Sequence, residues 1–208
     1  MVRRGISRRK ALSSVLALGA TVATLGGLVH GERAAALPID QIRPPGALPE
    51  TEFLDACVRC GLCVQACPYD TLRLADIGQP MPAGTPYFSA RDTPCEMCET
   101  IPCVAACPTG ALRPSLRDIR DADMGLALLS APQRCLSHIG AAYCDSCVKA
   151  CPLKGQAIRM RKRRTARGGL FEPTVDAEHC TGCGLCEKAC VLEGDAAITV
   201  RANHVAAR

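Results

Sequence analysis

Cys57, Cys60, Cys63 and Cys67 set four thiols in a short run that closes on Pro68, and the chain repeats this group with variations at Cys95, Cys98, Cys103, Cys107, at Cys135, Cys144, Cys147, Cys151 and at Cys180, Cys183, Cys186, Cys190. The spacing C-x2-C-x2-C-x3-C-P suits thiolates that wrap one corner of an iron–sulfur cube. All sixteen cysteines of the 208 residues fall into these groups, each ending C-x3-C. A disulfide framework needs no such local grouping. Zinc ribbons use two separated C-x2-C pairs, so three thiols at C-x2-C-x2-C favour the cube. The sixteen cysteines are therefore expected to be cofactor ligands, holding the iron of four [4Fe-4S] clusters. Sixteen thiolates for four cubes leave no iron open to a substrate. The chemistry left is electron transfer, with no catalytic residue and no substrate-converting site of its own.

The groups differ in instructive ways. Two extra residues, one of them Pro102, separate Cys98 from Cys103, and eight residues, Leu136 to Tyr143, separate Cys135 from Cys144. That second insertion contains His138, expected to be a solvent-exposed loop residue because its group already has four cysteines; His179 beside Cys180 is expected at the surface. Pro68, Pro108 and Pro152 follow the last cysteine of three groups, where a proline stops a short helix and removes a backbone donor. The fourth group has Val191 there.

Short elements must position these thiols. Asp70–Leu74 alternates polar and apolar residues as a strand does, and the Gly- and Pro-bearing loop from Gly78 to Pro86 returns the chain to the second group. Met124–Leu129 reads as a buried strand, and Ala196–Val200 as a final one. Ala157–Met160 and Phe171–Asp176 read as the strands of a hairpin joined by a basic loop with Arg161, Lys162, Arg163, Arg164 and Arg167. Such a loop is either simply solvated or a docking patch for an acidic redox partner or anionic lipid headgroups.

Residues 1–36 have the form of an export signal. Ser7-Arg8-Arg9 precedes an uncharged run from Ala11 to Val29 and the small-residue stretch Ala34-Ala35-Ala36, the pattern of a twin-arginine signal read by the Tat translocase. The run is long enough to serve instead as a retained anchor, but its Gly, Ala, Ser and Thr make it weakly apolar. Pro38, Pro44, Pro45 and Pro49 mark residues 37–50 as an extended linker. The first 36 residues hold six of the 25 basic residues and one of the 20 acidic ones, so the remainder carries nineteen of each. Neutral protein with negatively charged clusters has no reason to bind nucleic acid.

The motifs resemble those of bacterial two-cluster ferredoxins, which implies an α+β fold of two tandem bacterial-type 2[4Fe-4S] ferredoxin-like units at residues 51–121 and 122–208, built from short strands and short cluster-bearing helices. The resemblance also implies crossed ligation, the fourth cysteine of each group serving its neighbour's cluster. Cys57, Cys60, Cys63 and Cys107 would then hold one cluster and Cys67, Cys95, Cys98 and Cys103 the next. Cys135, Cys144, Cys147 and Cys190 would hold a third, and Cys151, Cys180, Cys183 and Cys186 the fourth. A nested pairing, first group with fourth and second with third, stays open. With Ser7-Arg8-Arg9, the C-x2-C-x4-C group and the stretch from Arg134-Cys135 to Cys144-Asp145-Ser146-Cys147, the whole chain resembles the NapG/MauM family of ferredoxin-type proteins. That resemblance implies a periplasmic electron-transfer subunit at or near the cytoplasmic membrane. It would work between a membrane quinol-oxidising ferredoxin-type protein and a periplasmic terminal oxidoreductase or its cytochrome, nitrate reductase in the NapG branch and a methylamine-utilisation system in the MauM branch. A wire subunit of a molybdenum oxidoreductase and a protein whose clusters only hold the fold are the other readings.

Overall fold

With three Phe, three Tyr and no Trp, the core is assembled around the cysteine groups themselves. A computed structural model describes residues 41–165 and 168–203; the expected signal at 1–36 lies outside them. Phe53, Phe88, Ile42, Leu112 and Ile198 are fully enclosed, and Cys95, Cys103, Cys147, Cys183 and Cys186 are buried with them. One apolar cluster runs through both halves of the described chain.

Helices are short and sit where the cysteines are. Helix α1, Glu50–Ala56, has Glu50 and Glu52 in its first turn, suited to the positive end of its dipole, and it buries Phe53 before handing the chain to Cys57. Helices α2 (Leu62–Gln65), α3 (Pro102–Ala105), α5 (Ser146–Ala150) and α6 (Leu185–Lys188) each carry the third cysteine of a group. Helix α4, Leu136–Ile139, forms inside the insertion after Cys135. Helix α6 has the same length and cysteine position as α2 although Val191, not proline, follows Cys190. The missing proline therefore leaves the exit from the helix unchanged.

Seven strands are present among the described residues. Strands β1 (Gln41–Ile42), β2 (Arg73–Leu74) and β3 (Pro86–Ser89) form an antiparallel sheet in the order β1-β3-β2, with Ile42 opposite Phe88 and Arg73 opposite Tyr87. Pro86 opens its strand, where its missing N–H costs least. Strands β4 (Gly125–Leu128) and β7 (Thr199–Ala202) pair with Ala127 opposite Val200, both buried. Strands β5 (Ile158–Thr165) and β6 (Gly168–Val175) form a long hairpin. Among the described residues no helix is long and apolar enough to cross a membrane.

Three expectations change. Residues 41–50 are not a linker: Ile42 is fully buried, and Arg43, 4% exposed, donates to both oxygens of Glu50 at 2.6 and 3.0 Å and to the Pro86 carbonyl at 2.8 Å. Its guanidinium also lies 4.6 Å from the centre of the Phe53 ring, so a side chain that looks solvated is neutralised and stacked inside. The basic run Arg161–Arg164 is strand, not loop, with Arg161 opposite Glu172 and Arg164 opposite Gly169. His138 is not a free loop residue: it lies in α4, half-buried, with Nδ1 2.9 Å from Glu172 Oε2. Arg163 Nε lies 3.2 Å from the same oxygen. Neither nitrogen is aligned for a hydrogen bond, so both meet the carboxylate by proximity alone. Arg163 does donate to the His138 carbonyl, at 2.7 Å.

Candidate iron–sulfur sites

The third and fourth cysteines of each group separate because the helix between them ends. Cys63 lies in α2 and Cys67 just past its end, and the backbone turns there so that the two thiols face different spaces. Cys57, Cys60, Cys63 and Cys107 line one space of about 340 Å³. Cys67, Cys95, Cys98 and Cys103 line a second, of about 390 Å³. Cys135, Cys144, Cys147 and Cys190 line a third, of about 370 Å³, and Cys151, Cys180, Cys183 and Cys186 a fourth, of about 400 Å³. Each quartet takes three thiols from one group and one from its neighbour. The pairing is adjacent, and the nested alternative is not the arrangement adopted.

All sixteen thiols are free. Among the described residues no Cys, His, Asp or Glu side chains close around a single point tightly enough for one metal ion, whereas four thiols spread around one shared space suit a polynuclear centre. Burial, then the Cys57, Cys107 and Cys60 thiols, pushes Cys63 up to about 11. Burial with Cys135 and Cys144 pushes Cys147 up to about 12. Burial with Cys183 and Cys180 holds Cys186 well above the ordinary thiol range. Thiols held up in this way ionise readily only where a cationic centre compensates them, which is what bound iron would supply. Cys107 moves the other way. Burial opposes its ionisation, but the Leu112 N–H, 3.5 Å from its sulfur, and the Thr109 and Gly110 N–H groups outweigh that and lower it. Ala127 N–H donates likewise to Cys180 at 3.5 Å. Such donors are among the features that set cluster potentials.

The backbone repeats as the spacing does. Arg59, Met97 and Gly182 precede the second thiol of their groups with φ of 56, 56 and 74°. Only Gly182 takes that left-handed conformation without strain.

The quartets also meet across the halves, through contacts that no motif announces. Cys95 N–H donates to the Cys183 carbonyl at 2.8 Å, and the Thr181 hydroxyl to the Met97 sulfur at 3.4 Å. Arg91 reaches about a hundred residues along the chain: its guanidinium donates to the carbonyls of Glu187 (2.7 Å), Cys190 (3.0 Å), Leu192 (2.5 Å) and Gly194 (3.1 Å). It thereby fixes the loop that presents Cys190. Arg91 sits in an unremarkable Ser-Ala-Arg-Asp turn, which carries no sequence signal of that role.

The model of the 4Fe-4S dicluster domain family matches residues 56–111 and 142–193. Its second match begins after Cys135, the thiol set apart by the insertion. The methylamine utilization ferredoxin-type protein MauM of Methylobacillus flagellatus is 57% identical over 159 residues, 76% of this chain and 67% of that protein. MauM of Methylorubrum extorquens is 50% identical over 196 residues, 93% of this chain and 88% of that protein. The ferredoxin-type protein NapG of Escherichia coli is 49% identical over 190 residues, 89% of this chain and 82% of that protein. No solved structure matches.

Proposed function

Because this chain belongs to the MauM and NapG family of ferredoxin-type proteins, built on 4Fe-4S dicluster domains, we propose that it holds four [4Fe-4S] clusters on its sixteen cysteines and passes electrons from a membrane quinol-oxidising partner to a periplasmic oxidoreductase. Bound clusters supply reversible one-electron chemistry. The observation that carries the reading is the sharing of thiols between quartets. Helices α2 and α3, each with the cysteine just past its end, supply one thiol to the first quartet and one to the second, and α5 and α6 do so for the third and fourth. The Cys95–Cys183 hydrogen bond then sets the second quartet against the fourth. The chain thus orders its quartets as first, second, fourth, third, a series with two outer ends.

Anaerobically prepared protein should contain about sixteen iron and about sixteen sulfide per chain. Stoichiometric zinc without sulfide would overturn the assignment. Delivery to nitrate reductase is the first reading of the terminal step. Delivery within a methylamine-utilising system is the second, favoured by the relatives named for it.

Ser7-Arg8-Arg9 and the weakly apolar run behind it support export through the Tat translocase. Replacing Arg8 and Arg9 together by Lys should retain the protein in the cytoplasm, as read by cell fractionation. Undiminished periplasmic accumulation of the double variant would remove the export argument.

A further inference from the structure

Three features sit together at one outer end of the quartet series. The insertion Leu136–Tyr143 is held down by the hairpin: Ser137 Oγ donates to the Phe171 carbonyl at 2.7 Å, and Leu170 lies against Gly140 so closely that a Cβ there would meet it at 2.7 Å. This brings the Tyr143 and Phe171 rings edge to face, with centroids 5.7 Å apart, although they remain 64% and 41% exposed. Val191, the residue standing where the other groups have proline, lines the space of Cys135, Cys144, Cys147 and Cys190 and is 57% exposed. Tyr143 immediately precedes Cys144 and Val191 immediately follows Cys190, so exposed apolar side chains flank two of these thiols.

The hairpin adds charge of one sign. In the β5–β6 register Lys162 stands opposite Phe171 and Arg164 opposite Gly169, so both share the face of Phe171, since directly opposed residues project to one side of a sheet. Lys162 and Arg164 are exposed and have no ion-pair partner among the described residues. Arg163, on the other face, is committed to Glu172 and the His138 carbonyl. An aromatic centre with a cationic rim is the composition of a protein-recognition surface.

We propose that Tyr143, Phe171, Val191, Lys162 and Arg164 form the face on which an acidic redox protein docks against the quartet of Cys135, Cys144, Cys147 and Cys190. This rests on the electron-transfer reading above and adds which end is used and by what kind of partner. The positive rim steers an acidic surface in and sets its orientation. The aromatic pair supplies the dehydrated centre.

The test uses the anaerobic, cluster-loaded full chain and an acidic flavodoxin as the probe, with binding read by calorimetry at low salt. Affinity should fall as salt rises. Lys162→Gln with Arg164→Gln should weaken binding about 10-fold, and Tyr143→Ser should weaken it as well. Arg73→Gln with Arg117→Gln, two exposed arginines of the first half, removes equal charge and should leave binding within about 2-fold of the parent. Iron and sulfide are measured on every sample. Clusters at full load with no flavodoxin binding, or with binding indifferent to Lys162 and Arg164, would overturn the docking face while leaving the electron-transfer reading intact. Patch-dependent binding to vesicles of phosphatidylglycerol in place of flavodoxin would overturn it in favour of lipid. Loss of the clusters themselves would instead strike the electron-transfer reading, because calorimetric binding needs no electron to move.

Discussion

Cys67→Ser is expected to remove iron from the quartet of Cys95, Cys98 and Cys103 and to leave Cys57, Cys60 and Cys63 loaded. Cys67 follows Cys63 by one helical turn, yet it lines the second space and not the first. A serine hydroxyl is a poor iron ligand at neutral pH, so the variant should lose about four iron and about four sulfide per chain. Pairing the substitution with others removes any dependence on assigning signals to particular clusters. Cys67→Ser with Cys98→Ser strikes one quartet twice and should cost no more iron than either change alone. Cys67→Ser with Cys60→Ser strikes two quartets and should cost about eight iron. If the Cys67/Cys60 pair loses only one cluster while the Cys67/Cys98 pair loses two, each group holds its own cluster and the crossing is wrong.

The sharing of each space between thiols of two groups was to be expected only by way of the ferredoxin resemblance, whereas the four cysteine groups themselves were legible outright. A thiol's type and spacing survive folding because the chemistry is local to a few residues. Tertiary partners are not local. Arg43 lies in a stretch that reads as a Pro-rich linker because Glu50, Pro86 and Phe53 come together around it only in the fold. Likewise, the run of four basic residues in β5 suggests a loop. The eight-residue register with β6 makes it a strand, pairing Lys162 with an exposed Phe171 and leaving the Glu172 carboxylate to His138 and Arg163. Strand propensity reports packing on a pleated surface, and a charged edge conceals it. The contacts joining the two halves had the least signal of all, since Arg91 works through backbone carbonyls, which any sequence would present.

Gly182→Ala should be the most damaging small substitution outside the cysteines. Gly182 holds φ at +74°, and a Cβ there would lie 2.3 Å from the nitrogen and 2.5 Å from the oxygen of Gly125. Neither atom is the movable end of a side chain. Gly125 cannot retreat, because its own α-carbon is pressed against β7, where an added Cβ would stand 2.4 Å from the Arg201 carbonyl oxygen. Two glycines thus stack backbone on backbone between the fourth cysteine group and the β4–β7 sheet, and Met124 N–H donates to the Thr181 carbonyl beside them. The left-handed conformation alone costs alanine roughly 1–2 kcal/mol. Forcing apart packed backbone adds roughly 1–3 kcal/mol, a large share of the roughly 5–15 kcal/mol that holds a typical domain together. Gly155→Ala separates the two costs, since Gly155 has φ of +86° with nothing within 4 Å of an added Cβ. In denaturant titrations of the cluster-loaded protein, followed by loss of cluster absorbance, Gly155→Ala should shift the midpoint modestly and Gly182→Ala several times further. Equal shifts would mean that the fourth cysteine group is not held in backbone contact with β4 at Gly125.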